Sequence, residues 1–307
     1  MEQVQPGRSH LLDEALAATP IRHGFSTRKG GVSTVYQRPY NDAPQPGARP
    51  DTAAGSEVLP ASPLAGTGDL NLGLTASDPV EAVLENRRRL VAAVFGVPRP
   101  LVTLRQVHSD IIHTAGAEHA HLTTLPDGDG ILTDTPGVAL GIQTADCVPI
   151  LIADPTRGAV GAFHAGWRGT LAAIVEQGVA RMHQAFGSRP GDLVAAIGPA
   201  IRPCCYQVGH EVVAAFRARF SYADALLSHP AAETAGGLAV LPSVAGEVAN
   251  TLALDLQEAN RQQLLTAGLH PGSIDVLAVC TCCNPDQYFS YRGENGFTGR
   301  MMAVIGS

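Results

Sequence analysis

His108, Cys147 and His164 are the residues of this chain whose types and placement could do chemistry together. Two imidazoles and one thiolate suit zinc, and three protein ligands leave a fourth tetrahedral position for water or substrate. The three stand too far apart in sequence to be the close ligand pairs of a zinc finger, so only the fold could unite them. Copper is a second occupant of such a site, because imidazole and thiolate also bind it strongly. A metal-free chemistry is open to the same residues, with Cys147 as nucleophile and His164 as its base. Taken singly, each also fits a hydrogen-bonded histidine or an inert buried thiol.

The other five cysteines fall in Cys204-Cys205 and Cys280-Thr281-Cys282-Cys283. Cys280 and Cys283 stand three apart at the end of a predicted strand, but neither run reads as a zinc knuckle, and packed or redox-inert thiols are the expectation. His119-Ala120-His121 is a single pair in a polar stretch, whereas a multicopper cluster needs several such pairs.

Strand ends must carry the three residues. Short apolar runs at 138–143, 148–153 and 159–163, divided by Thr144-Ala145-Asp146-Cys147 and Asp154-Pro155-Thr156-Arg157-Gly158, predict buried strands joined by turns. Residues 101–107 and 111–114 read as extended, which puts His108 just beyond a strand. His164 follows the third apolar run, and a helix over 168–186 comes next, stopped by Gly187. Asp78, Pro79 and Glu81 predict a helix start with a capping carboxylate, and Gly96 its close. Strands at 193–197, 274–279 and 301–305 and helices at 209–220 and 251–267 complete an α/β chain, a mixed sheet covered by helices. Segment 42–69 is rich in Pro, Gly, Ala and Ser and reads as a disordered insertion.

Composition narrows the class. With 45% hydrophobic and 16% charged residues among 307, the chain can bury a large core, as a single domain. A net charge of -7 argues against general affinity for nucleic acid or anionic membrane. The N-terminus lacks the basic start and apolar run of a secretory signal, and no stretch has the length of a membrane span. The expectation is a cytoplasmic protein whose cysteines stay reduced, with a monomer as its simplest state.

An ordered set of motifs runs over 23–305. It comprises His23-Gly24-Phe25-Ser26-Thr27-Arg28-Lys29-Gly30-Gly31-Val32-Ser33, Asn71-Leu72-Gly73, Asn86-Arg87, Gln106-Val107-His108 and Asp129-Gly130-Ile131-Leu132-Thr133. It continues through Thr144-Ala145-Asp146-Cys147-Val148-Pro149, His164-Ala165-Gly166-Trp167-Arg168-Gly169, Ile197-Gly198-Pro199, Phe289-Ser290-Tyr291-Arg292 and Thr298-Gly299-Arg300. This set resembles the laccase-domain family of purine nucleoside phosphorylases, earlier labelled polyphenol oxidase, with one branch called a peptidoglycan editing factor. The resemblance implies a four-layer mixed α/β fold and a zinc held by His108, Cys147 and His164. It implies phosphorolysis of adenosine, inosine and S-methyl-5′-thioadenosine, with adenosine deamination as a further activity. The 42–69 segment departs from the pattern, falling between two of its motifs and leaving the three ligands intact.

Phosphorolysis needs a bound phosphate beside the anomeric carbon. Thr27-Arg28-Lys29-Gly30-Gly31 offers cations and close-approaching backbone N–H groups, which makes Arg28 the expected clamp and Lys29 a solvated charge. The helix start at Trp167-Arg168-Gly169 is a second anion site, and Arg292 and Arg300 could complete it. Deamination needs a carboxylate to shuttle protons, for which Asp146 stands beside Cys147. Trp167 could stack on the purine or pack internally. The competing classes are a cysteine hydrolase editing peptidoglycan precursors, a copper-dependent polyphenol oxidase and a non-enzymatic binding module, which the polar residues at strand ends disfavour.

Overall fold

Short strands of almost unbroken apolar sequence need cover on both faces. The computed structural model, which describes residues 10–37, 68–116, 119, 124–229 and 252–307, supplies that cover by stacking two sheets between helices. In chain order come α1 (His10–Leu16), β1 (Arg22–Phe25), β2 (Lys29–Gly31), β3 (Gly68–Asp69) and α2 (Val80–Phe95). Seven strands follow: β4 (Leu101–Arg105), β5 (Ile112–Thr114), β6 (Thr124–Asp127), β7 (Gly130–Thr133), β8 (Ala139–Thr144), β9 (Val148–Ala153) and β10 (Val160–Ala165). Then come α3 (Trp167–Leu171), α4 (Ile174–Phe186), β11 (Val194–Ile197), β12 (Gln207–Val208), α5 (His210–Arg219), α6 (Ala223–Leu226) and β13 (Leu227–Ser228). The last elements are β14 (Leu252–Leu254), α7 (Leu256–Thr266), β15 (Ile274–Val276) and β16 (Met301–Gly306).

One sheet has the order β1-β16-β8-β4-β6 and the other β15-β11-β9-β10-β7-β5. Both are mixed: β8 pairs antiparallel with β16 and parallel with β4, and β11 pairs antiparallel with β9 and parallel with β15. The period of two along β9 sorts its side chains between layers. Leu151 and Ala153 join Leu140, Ile142 and Ile305 in the core between the sheets. Ile150 and Ile152 join Ile174 and Val179 of α4 and Leu264 of α7 on the outer side. On the opposite flank, Leu90, Val91 and Val94 of α2 pack on Ala139, Met302 and Val304. The result is the expected mixed α/β fold, in four layers of helix, sheet, sheet and helix. No helix among the described residues is long and apolar enough to cross a membrane.

Several elements differ from expectation for local reasons. The helix expected over 168–186 is two, because Ala173 takes the left-handed conformation at φ 59° and breaks it. Gly178 lets α4 sit close to the sheet: a Cβ there would lie 2.3 Å from the Phe163 ring. Asp78 does not cap α2. Its Oδ2 accepts instead from Ser33 Oγ (2.6 Å) and Asn71 Nδ2 (2.7 Å), and Pro79 precedes the helix without a side-chain cap. Gly96 closes the helix as expected, at φ 73°, donating its N–H to Ala92 O. The helix expected over 251–267 divides into β14 and α7, the latter capped by Asp255, which accepts from the Glu258 N–H. Gly68–Asp69, the tail of the segment expected to be disordered, pairs with β2 as β3. Residues 42–67 and His121 lie outside the described residues.

Asn86 ties α2 to the segments on either side of that insertion. Its side-chain amide donates to Ser33 Oγ and Asn71 O (both 2.9 Å), and its carbonyl accepts from Val32 N (2.9 Å). Fully buried, it clamps Val32 and Ser33 to Asn71. Asn86→Ala is expected to cost about 2–4 kcal/mol, because several buried polar groups lose their partners at once. Denaturant unfolding checks this, and an unchanged midpoint would show that the network does not hold the segments.

Candidate active site and metal centre

The two sheets present their ends on one side. Beyond β4 the chain turns through Gln106, Val107 and His108, with His108 at φ 60°. The chain passes from β8 in one sheet to β9 in the other through Ala145, Asp146 and Cys147, with Asp146 at φ 91°. His164 lies near the end of β10, paired across to Pro149 of β9. Both positive-φ residues adopt a conformation that costs an L-residue about 1–3 kcal/mol. Each is held there by hydrogen bonds.

Asp129, fully buried just before β7, is the organising group. Its carboxylate accepts from the backbone N–H of Val107 (3.2 Å), His108 (3.1 Å) and Ser109 (2.6 Å) and from Ser109 Oγ (2.7 Å). It also accepts from His164 Nδ1 at 2.7 Å. Burial opposes its charge, but the donors from His164 and Ser109 prevail and hold its pKa at about 2. With Nδ1 committed to Asp129, Nε2 is the atom that His164 has to offer another partner.

The ligating atoms of His108, Cys147 and His164 lie within 4.8 Å of one another. Cys147 Sγ is 3.7 Å from His108 Nε2, and the two imidazoles meet edge to face with centroids 4.8 Å apart. A tetrahedral zinc with ordinary Zn–N and Zn–S bonds separates its ligand atoms by about 3.3–3.6 Å, so the donor set and its spacing fit such an ion. Gly166 leaves the room: a Cβ there would lie 2.9 Å from the His108 ring and 3.0 Å from the Cys147 sulfur. Burial pushes the Cys147 thiol up, but His164 and His108 outweigh it and bring the pKa down to about 6. Burial likewise disfavours charge on His164, yet Cys147 and Asp129 raise it to about 9. At neutral pH the metal-free set is therefore a thiolate beside an imidazolium at His164, and a cation bound there would take the place of the His164 proton.

A cleft of about 740 Å³ opens over these residues, lined also by Arg87, Gln106, Gln143, Tyr291 and Arg300. Gln106 bridges the ends of β4 and β8, donating to Gln143 O (2.7 Å) and accepting from Gln143 N (2.8 Å). Arg87 of α2 is buried, with Nε donating to Leu72 O at 2.9 Å. No carboxylate pairs with it among the described residues, and burial alone lowers its pKa to about 10. Arg300 gives Nη1 to the Thr298 and Gly299 carbonyls, with its guanidinium 5.9 Å from the Tyr291 ring.

Of the residues expected at the site, the structure brings together His108, Cys147, His164 and Arg300. Arg28 is elsewhere. It is 4% exposed, bonded to Asp69, Glu294 and the Pro285 and Tyr36 carbonyls, and laid on the Phe289 ring. A buried guanidinium needs acceptors all round, and these leave none of its donors for phosphate. Asp146 also turns away from the cleft, accepting from Thr281 Oγ1, Ser290 Oγ and Arg292 N, each at 2.7 Å. Burial raises its pKa. Arg168 stacks on Trp167 at 4.2 Å, and Arg292 lies over Tyr206, so neither lines the cleft. Asp129, Arg87, Gln106, Gln143 and Tyr291 were given no role from sequence. Arg87 had a signal: it shares the helix face of Val83, Leu90, Val91 and Val94, where a charge is out of place.

Replacing Asp129 with Asn removes the charged acceptor that orients two ligands, and metal affinity is expected to fall about 10–100-fold. Competition with a chelator measures it; unchanged affinity would deny Asp129 that part. In the metal-free protein, alkylation of Cys147 should follow the thiolate. It should fall to half near pH 6, where Cys147 gains its proton, instead of near about 8.5 as for an unperturbed thiol. Mapping the alkylated peptide across pH tests the shift.

Comparison with known proteins places the chain in a family. A family model described as multi-copper polyphenol oxidoreductase laccase matches residues 61–307. The purine nucleoside phosphorylase YlmD of Geobacillus stearothermophilus is 39% identical over 77% of this chain and 83% of its own length. The purine nucleoside phosphorylase of Deinococcus radiodurans is 36% identical over 93% of this chain and 89% of its own. The crystal structure of a hypothetical protein YfiH from Bacillus licheniformis superposes with a TM-score of 0.72 at 31% identity, covering 93% of this chain and 92% of that one. The crystal structure of YlmD from G. stearothermophilus gives 0.70 at 33% identity, covering 95% and 93%. Matched by that model over most of its length, and by such relatives over more than two thirds of it, the chain belongs to the multi-copper polyphenol oxidoreductase laccase family.

Proposed function

We propose that this chain is a zinc-dependent purine nucleoside phosphorylase that cleaves adenosine, inosine and S-methyl-5′-thioadenosine to the free base and a (methylthio)ribose 1-phosphate. The names of its relatives support the reaction class. The observation that carries the reading is the cleft itself, where a three-ligand metal set lies beside a buried arginine without a carboxylate partner. A cation so placed favours an anionic ligand, and inorganic phosphate is the anion that phosphorolysis consumes.

In this reading Arg87 and Arg300 hold phosphate against the anomeric carbon. A phosphate oxygen forms the bond to C1′ as the C1′–N9 bond breaks, and the electron pair leaves with the purine, which gains, directly or through water, the proton that the hydrogen phosphate gives up. Tyr291 at the mouth offers a face for the base, and the Gln143 amide a donor and acceptor for its edge. His108, Cys147 and His164 would hold the zinc, which when bound supplies a Lewis acid beside the reacting centre. Asp129 keeps those ligands in register and stays ionised. Deamination of adenosine is the lesser activity, because among the described residues the cleft lining contains no carboxylate to move protons and Asp146 is engaged elsewhere.

A second reading has its own observation. Cys147, His164 and Asp129 form a chain of thiol, imidazole and carboxylate, the arrangement of a cysteine hydrolase. The polyphenol oxidase reading is weaker: among the described residues His108, Cys147 and His164 form the one ligand group that contains histidine, too few for a copper cluster.

Purified protein given adenosine and phosphate is expected to yield adenine and ribose 1-phosphate, lost in Cys147→Ala. Chelation should abolish turnover and zinc restore it. Turnover that survives chelation, together with a covalent adduct on Cys147, would instead establish the hydrolase. Arg87→Met is expected to raise KM for phosphate at least about 10-fold, by loss of a charge-assisted contact, while KM for adenosine changes little. Equal rises in both would remove Arg87 from the phosphate site.

A further inference from the structure

Cys204, Cys205, Cys280 and Cys283, expected from sequence to be packed or inert thiols, meet in space. Their sulfur atoms all lie within 4.8 Å of one another. Cys283 Sγ is 3.3 Å from Cys205 Sγ and 3.5 Å from Cys204 Sγ. Two segments bring them together, one following β11 and one following β15. These run side by side through the Ala200–Cys280 bridge, with Ala200 N donating to Val279 O and Thr281 N to Ala200 O. Cys282, between two members of the quartet, has its sulfur near Gly293 and is not one of the four.

We propose that these four cysteines bind one zinc ion in a closed, structural site separate from the cleft. Four thiolates with no fifth donor define a tetrahedral site without an open position, which is the structural and not the catalytic arrangement. Zn–S bonds of ordinary length put the sulfurs of such a site about 3.8 Å apart. The distances of 3.3 and 3.5 Å fall a little short of that value, and the whole quartet lies within 4.8 Å. An iron–sulfur cube would spread its four thiolates around a cluster several ångströms wide, so a single ion is the better match. The backbone supports negative charge where it is needed: the N–H groups of Arg202 and Cys283 are directed at the buried Cys280 sulfur. Binding replaces the thiol protons with the metal, so each equivalent of zinc releases up to four protons.

The site also has something to hold. The segment of Cys204 and Cys205 carries Ile201, whose N–H donates to Asp146 O (2.9 Å), and the segment of Cys280 and Cys283 carries Thr281, whose hydroxyl donates to Asp146 Oδ1 (2.7 Å). An ion bridging the two segments fixes both donors to the turn that presents Cys147. The second zinc therefore acts on the first centre through the backbone.

Metal counting on the full chain tests this without reference to nucleoside turnover. Native mass spectrometry of protein prepared under reducing conditions should find two zinc ions in the wild type. One should remain in His108→Ala/Cys147→Ala, which lacks the cleft set, and one in Cys204→Ser/Cys283→Ser. If the latter does not fold, cobalt(II) loading of His108→Ala/Cys147→Ala decides. The sulfur-to-cobalt charge-transfer bands of a tetrathiolate should appear and be displaced by zinc. A His108→Ala/Cys147→Ala protein that folds, holds no metal and alkylates all its cysteines together would overturn the proposal. So would a mass showing two disulfides among the four.

Discussion

A buried carboxylate is expensive unless every lone pair is met, and Asp129 is met five times, by three consecutive amides, a hydroxyl and an imidazole. Its donors come from both sheets' ends. The amides of Val107, His108 and Ser109 follow β4 in one sheet, and His164 sits on β10 in the other. The same charge therefore bends the His108 loop into a left-handed conformation and fixes the tautomer of His164. Neither ligand can move without unbonding Asp129, so the fold's stability and the metal geometry draw on the same set of hydrogen bonds.

The third ligand arrives by a different route. Cys147 occupies the crossing from β8 to β9, and a crossing between stacked sheets must turn sharply. Asp146 makes the turn at positive φ, with its carboxylate tied back to Thr281, Ser290 and Arg292. It resembles Asp129 in kind: a carboxylate that spends its lone pairs on the protein so that its neighbour faces the cleft. Two acidic groups thus act on ligand placement, one through the histidines and one through the cysteine. This explains why a residue beside the thiolate, well placed in sequence for proton transfer, has no free oxygen for it.

What could be read from sequence follows from how local each feature is. The strands were legible because runs such as 148–153 are apolar throughout and bounded by turn residues. His108, Cys147 and His164 each fitted a plainer role taken singly, and were legible as a set through the resemblance of the ordered motifs that carry them. The break at Ala173 was not, since an alanine in a left-handed conformation leaves no trace in a periodic helix pattern. Arg28 was misread because its Gly-rich setting is local while its partners, Asp69 and Glu294, are far along the chain. Asp78 was misread for the same reason, its true partner Ser33 lying across the insertion. The cysteine quartet escaped because each segment holds half of a ligand set, and only the parallel run of the two segments completes it.

Charge gives the last step. The chain carries a net charge of -7, yet among the described residues its cleft is lined by arginines and by no carboxylate. Arg105 is paired with Asp127 outside the lining, which leaves Arg87 and Arg300 as the cations without carboxylate partners there. An acidic exterior repels polyanions such as nucleic acid, whereas a narrow cationic cleft concentrates field lines on a small anion. A metal bound to His108, Cys147 and His164 would add positive charge beside the buried Arg87. Like charges that share a cleft raise each other's energy, and an anion bound between them would relieve both. In the proposed reading phosphate is that anion, so its binding and the metal's are expected to support one another by electrostatics.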